Sequence, residues 1–154
     1  MFVMIVIRKI RRKKRMVNIN KDLEWGLKRE QYTMKFVSRE LSQHGKFKKL
    51  GKYDSFDYCA WQDDKCCFIE IKSRRIDYGD YEETIVPASK IETALKLIGL
   101  GHKAFIALNF KDGIYLLNLC NARMHFGYNA RTDRGALELN HYAFIPLEQF
   151  KLLA

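Results

Sequence analysis

The first recognisable pattern along the chain is an apolar stripe between about residues 20 and 42. Its members are separated by steps of four, seven, three and four residues, which is the periodicity of one helix face, and they are Leu23, Leu27, Met34, Val37 and Leu41. Asn20 or Asp22 is suited to cap the start of this helix. The step of seven skips one position of the stripe, and Glu30 occupies it. The pattern therefore predicts a helix with one carboxylate directed toward the interior.

Shorter apolar runs further along the chain predict strands. They cover residues 53–62, 65–73, 84–87, 103–110, 113–119 and 142–146. The first two runs are joined by the turn sequence QDDK. Lys111-Asp112-Gly113 predicts a hairpin, because Asp-Gly between two apolar runs favours a tight turn. Residues 121–136 are polar and are predicted to be irregular, and Pro146 opens a last helical turn.

A second helix is predicted from about residue 90 to Ile98. The sequence SKIE, which begins at Ser89, matches a capping box, and Gly99 is placed to end the helix. The predicted order of elements is therefore α-β-β-β-α-β-β. This order indicates a mixed α/β domain with a central sheet flanked by helices.

The charge of the chain changes this picture at one end only. The 154 residues carry a net charge of +10, and residues 8–15 (RKIRRKKR) contain seven of the 28 basic residues. Without residues 1–15 the balance is 21 basic against 18 acidic side chains, or +3. We expect a basic arm over residues 1–17 and one domain over residues 18–154. The arm is interpreted as a polyanion-binding segment, as a solvated tail, or as an artefact of start-codon choice with Met16 as the first residue.

Two further features exclude other classes of protein. The apolar start MFVMIVI is too short to span a bilayer and lacks the preceding basic residues of a signal peptide, so no membrane partner and a cytoplasmic location are expected. The four cysteines form no CxxC pair, and the histidines form no HExxH motif. A zinc site is therefore not expected, and buried free thiols are the default interpretation.

An acid and a lysine interrupt the apolar run of residues 66–73, at Glu70 and Lys72. An acid two residues before a lysine occurs about twice by chance in a chain of this composition, so the pattern alone carries little weight. The register of the two predicted strands gives the pattern more weight. If Gln62 pairs with Lys65 across the turn, paired residue numbers sum to 127, and Asp57 then lies opposite Glu70. Directly opposed residues share a face of the sheet, and Lys72 lies on that face too.

Two opposed carboxylates repel each other, and Lys72 offsets only part of that repulsion. A divalent cation with oxygen ligands fits better, and Mg²⁺ accepts one or two carboxylates together with waters and phosphate oxygens. Glu30 is a candidate third carboxylate, since a buried acid without a partner is costly. The alternatives are a solvent-exposed face on which Lys72 pairs with an acid, a bulge that breaks the register, and a Glu30 that reaches solvent from the edge of its stripe.

These residues resemble the PD-(D/E)xK nuclease superfamily over about residues 21–119. Asp57 matches its first acid, Glu70 its second acid and Lys72 its lysine, while Glu30 matches the helical glutamate of many members. Phe56 stands at the Pro of the motif name, and Asp54 is a rival for the first acid. The resemblance implies a restriction-endonuclease-like αβββαβ core, similar to small phage- or virus-type members and to Holliday-junction-resolvase-like members.

The resemblance also implies a function, which is Mg²⁺- or Mn²⁺-dependent hydrolysis of phosphodiester bonds in DNA. The catalytic residues would be Glu30, Asp57, Glu70 and Lys72, and the metal ligands Asp57, Glu70, Glu30 and the carbonyl of Ile71. The metal would lower the pKa of a water, and Lys72 would orient that water and stabilise developing charge.

The surrounding charge suits a nucleic-acid backbone. The candidate contacts are Lys49, Lys52, Arg74, Arg75, Ser89 and Lys90, and Tyr78 and Tyr81 are candidates either to stack on bases or to pack. The expected partner is double-stranded or branched DNA, with RNA still open, in recombination, repair or phage DNA processing. A homodimer would supply the two active sites that resolvase-like cleavage needs. The alternative function is a non-catalytic nucleic-acid-binding module that retains the fold.

Overall fold

The structure is a computed structural model, and it describes residues 19–132 and 135–154. The predicted basic arm, residues 1–17, therefore lies outside the described residues. Within the described ranges, no helix is long and apolar enough to cross a membrane.

The first helix, α1, spans Ile19–Glu40 and agrees with the predicted helix. Met34, Val37 and Leu41 are buried as expected, but Leu23 and Leu27 are 67% and 45% exposed. The middle of α1 instead contacts the body of the protein through Arg29, which donates to Asn109 and Phe110 O, and through Thr33, which accepts from Asn109. The prediction that Leu23 and Leu27 belong to the buried face was wrong, because polar residues make the contact there and hydrophobic periodicity does not detect them.

Nine strands lie in the described ranges. In chain order they are β1 (Lys48–Lys49), β2 (Tyr58–Gln62), β3 (Lys65–Ser73), β4 (Glu83–Pro87), β5 (Lys103–Asn109), β6 (Ile114–Asn118), β7 (His125–Arg131), β8 (Glu138–Pro146) and β9 (Lys151–Leu152). Six of them form a central sheet in the order β1-β2-β3-β5-β6-β9. Its β3–β5 pair is parallel and its other pairs are antiparallel. The predicted mixed sheet is therefore confirmed.

A second sheet has the order β4-β8-β7. It corrects two expectations. The predicted third strand, β4, does not join the central sheet, because it pairs antiparallel with β8. The segment predicted to be irregular contains β7, whose seven residues pair with β8. Most of β7 is exposed or half-buried, so its polar composition concealed a strand that the apolar pattern could not show.

The central sheet separates two apolar layers, and β5 shows how. Ala104, Ile106 and Leu108 pack in the layer shared with the second helix and the second sheet. Phe105 and Ala107 pack against α1 in the other layer. Successive strand side chains point to opposite faces, so this one strand supplies both layers. The predicted architecture of a central sheet flanked by helices is confirmed.

The second helix, α2, spans Ala88–Gly99. It ends at Gly99 as predicted, but its first residue precedes the expected cap. Pro87 occupies the N-cap position and makes no side-chain cap hydrogen bond. Ser89 therefore lies inside the first turn and is exposed, so the predicted capping box does not form. The hairpin between β5 and β6 is confirmed, and Phe110 N donates to Gly113 O at 2.9 Å in its turn.

All four cysteines are free thiols. Cys59 and Cys67 are buried, and burial is the main cause that raises the pKa of Cys67 to about 12. A thiol with so high a pKa is a poor nucleophile at neutral pH. Cys120 is exposed, which corrects the expectation that every thiol is buried.

Candidate active site

The hairpin of β2 and β3 has the predicted register over its length. Gln62 pairs with Lys65 and Tyr58 with Ile69, so paired residue numbers sum to 127. The ladder stops there, one residue short of the expected pair between Asp57 and Glu70. Asp57 N donates instead to Ile69 O at 2.9 Å. The chain bends over residues 54–57, and this bend moves Asp57 out of the ladder.

The carboxylate of Asp57 is held beside the next position of β3. Its Oδ2 accepts a hydrogen bond from Ile71 N at 2.7 Å. The N–H and C=O of one strand residue point toward the same edge of the strand. The carbonyl of Ile71 therefore faces the edge at which Asp57 lies. This edge is open because β2 has ended, so two kinds of oxygen atom, a carboxylate and a carbonyl, are available there.

Glu70 lies on the face of β3 that is turned toward α2, and it is only 2% exposed. Each of its oxygens has a cationic partner. Lys72 Nζ lies 2.6 Å from Oε1, and Lys90 Nζ lies 2.7 Å from Oε2. Lys90 also donates to Ser55 O at 2.9 Å, which ties α2 to the bend before β2. The charge of Glu70 is therefore balanced by two ammonium groups. The sequence indicated that Lys72 would offset part of the charge, but it did not identify Lys90 as a partner.

Glu30 lies on the opposite side of the hairpin. It forms an ion pair with Lys49, and it accepts a hydrogen bond from Tyr58. Tyr58 packs in the α1 layer, whereas Glu70 faces α2. The pKa of Tyr58 is raised to about 12, mainly by burial and then by the charges of Glu30 and Asp57. Glu30 and Asp57 are thus neighbours of one phenol, but Glu30 is not in contact with Glu70.

The positions of Asp57, Glu70 and Glu30 limit how many carboxylates can bind one metal ion without rearrangement. Within residues 19–132 and 135–154, no three His, Cys, Asp or Glu side chains lie close enough together to bind a metal as a group. The rival acid Asp54 is engaged elsewhere, because its Oδ2 accepts from Gly51 N at 2.6 Å and closes a turn. Asp57 and Glu70, with the carbonyl of Ile71, therefore remain the candidate oxygen ligands on the hairpin.

The predicted nucleic-acid contacts are spread around this centre. Lys52 lies over the ring of Tyr53, with Nζ 5.7 Å from its centroid. Arg75 pairs with Asp22 and lies over the ring of Trp25 at 4.4 Å. Arg74 is less accessible, since its Nη2 donates to Ile85 O at 3.1 Å and burial lowers the pKa of its guanidinium.

Of the two candidates at the start of α2, Lys90 contacts the site directly. It was predicted as a nucleic-acid contact, and it is the ion-pair partner of Glu70. Ser89 is exposed in the same turn. The resemblance to the nuclease superfamily implied that a polar residue of this turn belongs near the site, but it did not identify the carboxylate that Lys90 binds.

One polar cluster beside the site was missed altogether. Asn109, at the end of β5, donates to Thr33 Oγ1 at 2.8 Å and accepts from Arg29. Arg29 Nη2 also donates to Phe110 O at 2.7 Å. Both Asn109 and Thr33 are buried. Their positions are 76 residues apart in sequence, so no local pattern could have connected them.

The bent hairpin, its acid–X–lysine strand and the flanking helices define the class of protein. An acid at the start of the hairpin and a glutamate and lysine on its second strand are the arrangement of the PD-(D/E)xK nuclease superfamily, and the fold is restriction-endonuclease-like. The chain belongs to the family described as "Phage putative PDDEXK endonuclease", whose profile matches residues 22–153. Family and fold therefore point to a PDDEXK-type nuclease.

A solved structure is also similar to the chain. It is Hjc, a Holliday junction resolvase from Archaeoglobus fulgidus, with 16% sequence identity and a TM-score of 0.44. The match covers 75% of this chain and 84% of the resolvase. No curated protein sequence matches the chain.

Proposed function

We propose that this protein is a Mg²⁺-dependent endonuclease that hydrolyses phosphodiester bonds in DNA. Its family supports the reaction class, and the setting of Glu70 supports the position of the site. Glu70 is almost completely buried beside an apolar layer, with Lys72 and Lys90 as its partners. A buried ion pair is weak evidence for stability, because hydrophobic residues of similar volume often do as well. A buried acid with two lysines is better explained by catalysis, and this is the observation that carries the proposal.

The donor set fits a magnesium ion. Asp57 and Glu70 supply carboxylate oxygens and Ile71 a carbonyl oxygen, which are the hard ligands that Mg²⁺ prefers, and waters and phosphate oxygens can complete its shell. Mn²⁺ suits the same ligands. Glu30 would take part through a water, since Lys49 and Tyr58 hold it on the other side of the hairpin. When bound, the ion supplies Lewis-acid polarisation of the phosphate and lowers the pKa of a water.

The two lysines around Glu70 would have different tasks. Lys72 lies on the same strand as Glu70, two residues further on, so its ammonium group stays beside the reacting phosphate. We assign it to orient the attacking water and to stabilise the charge that develops on the phosphate. Lys90 comes from α2, and its ammonium group neutralises Glu70 in the absence of metal. We assign Lys90 to exchange Glu70 for a phosphate oxygen of DNA once metal is bound.

The remaining contacts would hold the DNA backbone. Lys49, Lys52 and Arg75 are exposed, and cations of this kind position a phosphate backbone without reading sequence. Ser89 is exposed in the first turn of α2 and is a further candidate donor. The family name supports a role in phage DNA processing. Cleavage of both strands of a junction would require a homodimer.

A second candidate function is a nucleic-acid-binding module without catalysis. The observation that favours it is the pairing of both Glu70 oxygens with lysines, since each oxygen then has an ammonium partner in place of a metal. The two functions make different predictions for the same experiment.

The experiment incubates the full chain with linear duplex, single-stranded and four-way DNA, and with a matched RNA. Each substrate is tested with Mg²⁺, with Mn²⁺ and with EDTA, and products are resolved on denaturing gels. The proposed nuclease cleaves at least one DNA with metal and none with EDTA. Binding to DNA without cleavage under either metal would exclude the nuclease and establish the binding module.

A further inference from the structure

A cavity of about 420 Å³ opens beside the carboxyl end of β3, where the chain passes from the central sheet to the second sheet. Ile85 and Phe110 contribute to its apolar wall, and its polar lining includes Arg74, Asn129 and Glu83. Its volume lies within the range of sites that hold small organic ligands, about 300–1,000 Å³. None of the metal-site residues lines it, so it is separate from the proposed catalytic centre.

The cavity nevertheless lies close to that centre, because Arg74, which lines the cavity, is two residues beyond Lys72. Arg74 follows Glu70 and Lys72 at intervals of two residues, and Arg74 N donates to Asn109 O at 2.8 Å, so the strand geometry continues to this residue. Side chains two residues apart point to the same face and are separated by about 6.7 Å along a strand. A nucleic-acid strand whose phosphate contacts Lys72 would therefore bring an adjoining nucleotide to the cavity.

The chemistry of the lining selects a base in preference to a phosphate. Glu83 places a carboxylate in the wall, which disfavours a phosphate and can accept hydrogen bonds from the amino groups of a base. Arg74 donates to the carbonyl of Ile85, and no carboxylate of residues 19–132 or 135–154 lies within 4.0 Å of its guanidinium. Its other donors and the amide of Asn129 can therefore meet the carbonyl and ring-nitrogen acceptors of a nucleobase.

One of the two tyrosines in the preceding loop is available for stacking. Tyr78 is already engaged, because its ring stacks on Tyr115 at 4.2 Å and its hydroxyl donates to Leu147 O at 2.8 Å. Tyr81 lines the cavity and is 65% exposed. An exposed tyrosine beside a cavity provides a flat ring for a base, and such stacking contributes about 1–3 kcal/mol per base.

We propose that this cavity binds one unpaired nucleobase of the DNA, next to the phosphate that lies at Glu70 and Lys72. The inference rests on the proposed function and names its substrate class, which is DNA with an unpaired base beside the cleaved bond. Single strands and branch points offer such a base directly. A fully paired duplex must first unpair one, at a cost of a few kcal/mol.

The test measures binding in EDTA, so that it does not depend on cleavage. A fluorescent single-stranded oligonucleotide is compared with a series in which one abasic site is moved along the strand. For the wild-type protein, an abasic site at one position raises Kd about 10- to 100-fold, as loss of one stacked base predicts. Tyr81→Ala raises Kd for intact DNA by a similar factor and removes the dependence of Kd on abasic position. Tyr81→Phe keeps the aromatic ring, so it retains the wild-type Kd and the dependence on abasic position.

The matched control is Tyr128→Ala, a tyrosine with a similar exposure of 68%. It neighbours Asn129 on β7, so its side chain lies on the opposite face of that strand. Asn129→Leu keeps the branched shape of the side chain and removes its hydrogen-bonding groups from the cavity wall. It is expected to weaken binding of intact DNA but not binding of DNA whose abasic site lies at the cavity. Equal effects of Tyr81→Ala and Tyr128→Ala, or an abasic series that is flat for the wild type, would overturn the inference.

The outcomes separate this inference from the proposed function. A protein that cleaves no DNA with metal, but shows Tyr81-dependent base binding in EDTA, retains the cavity assignment and loses the nuclease assignment. A protein that cleaves DNA with no effect of Tyr81→Ala on binding or on substrate preference loses the cavity assignment alone.

Discussion

The pairing of Lys90 with the buried Glu70 leads to a quantitative prediction. Lys90→Met keeps the length of the side chain and removes its charge. A hydrogen bond to a charged group contributes about 1.5–3 kcal/mol, and removing one partner of a buried pair costs about 3–5 kcal/mol. Lys90 is 27% exposed and Glu70 keeps Lys72 as a second partner, so the lower figure applies. We expect the free energy of unfolding to fall by about 2 kcal/mol.

Urea denaturation followed by circular dichroism measures this change. With an m-value of about 2 kcal/mol/M, a loss of about 2 kcal/mol lowers the midpoint by about 1 M. Lys96→Met is the matched control, since Lys96 is an exposed lysine on the same helix and is expected to leave the midpoint unchanged. Saturating Mg²⁺ should raise the midpoint of Lys90→Met more than that of the wild type, because the ion replaces the missing positive charge and binds the folded state. Equal midpoints for Lys90→Met and Lys96→Met would refute the reasoning.

Three further variants test other parts of the structure. Asn109→Ala leaves Arg29 and Thr33 without their buried partner, so unfolding in urea should become easier by about 2–3 kcal/mol, and an unchanged midpoint would contradict the contacts described. Tyr58 has a pKa of about 12 in the folded protein against an ordinary value of 10.0, so its contribution to stability is complete below pH 10 and is lost as pH rises toward 12. Tyr58→Phe should therefore show a shallower fall of the urea midpoint between pH 9.5 and 11.5, and equal slopes would exclude the shift. Arg75→Ala should weaken binding to all DNA sequences alike and reduce the salt slope of log K by about 1, whereas a sequence-dependent loss would show that Arg75 reads bases.

The hairpin was predictable because its information is local. The turn QDDK fixes the register of β2 and β3, and alternation along β3 assigns Cys67, Ile69 and Ile71 to one face. A bulge that breaks the register was one of the alternatives, but the sequence could not place the break at Asp57, since it depends on tertiary contacts such as the packing of buried Phe56 against Phe68 at 5.3 Å.

The partners of Glu70 and Glu30 illustrate a second limit. Sequence alone could place both acids near the interior, because burial follows from their apolar neighbours. It could not predict that Lys90 would reach Glu70 from α2, or that Lys49 and Tyr58 would hold Glu30 on the other face. Such pairings depend on tertiary packing, which joins segments that are distant along the chain. The second sheet was missed for the same reason, since β7 acquires its structure by pairing with β8.

Glu70 and its neighbours are proposed to form a metal-dependent phosphodiesterase site. The most direct measurement is single-turnover cleavage by Glu70→Gln, with DNA binding in EDTA and the urea midpoint measured on the same preparation. Gln keeps the shape of the side chain and can still accept a hydrogen bond, but it provides no carboxylate for Mg²⁺. We expect Mg²⁺-dependent cleavage to fall by about 100-fold or more, while the variant remains folded and bound to DNA. Cleavage by a folded Glu70→Gln at the wild-type rate would contradict this proposal.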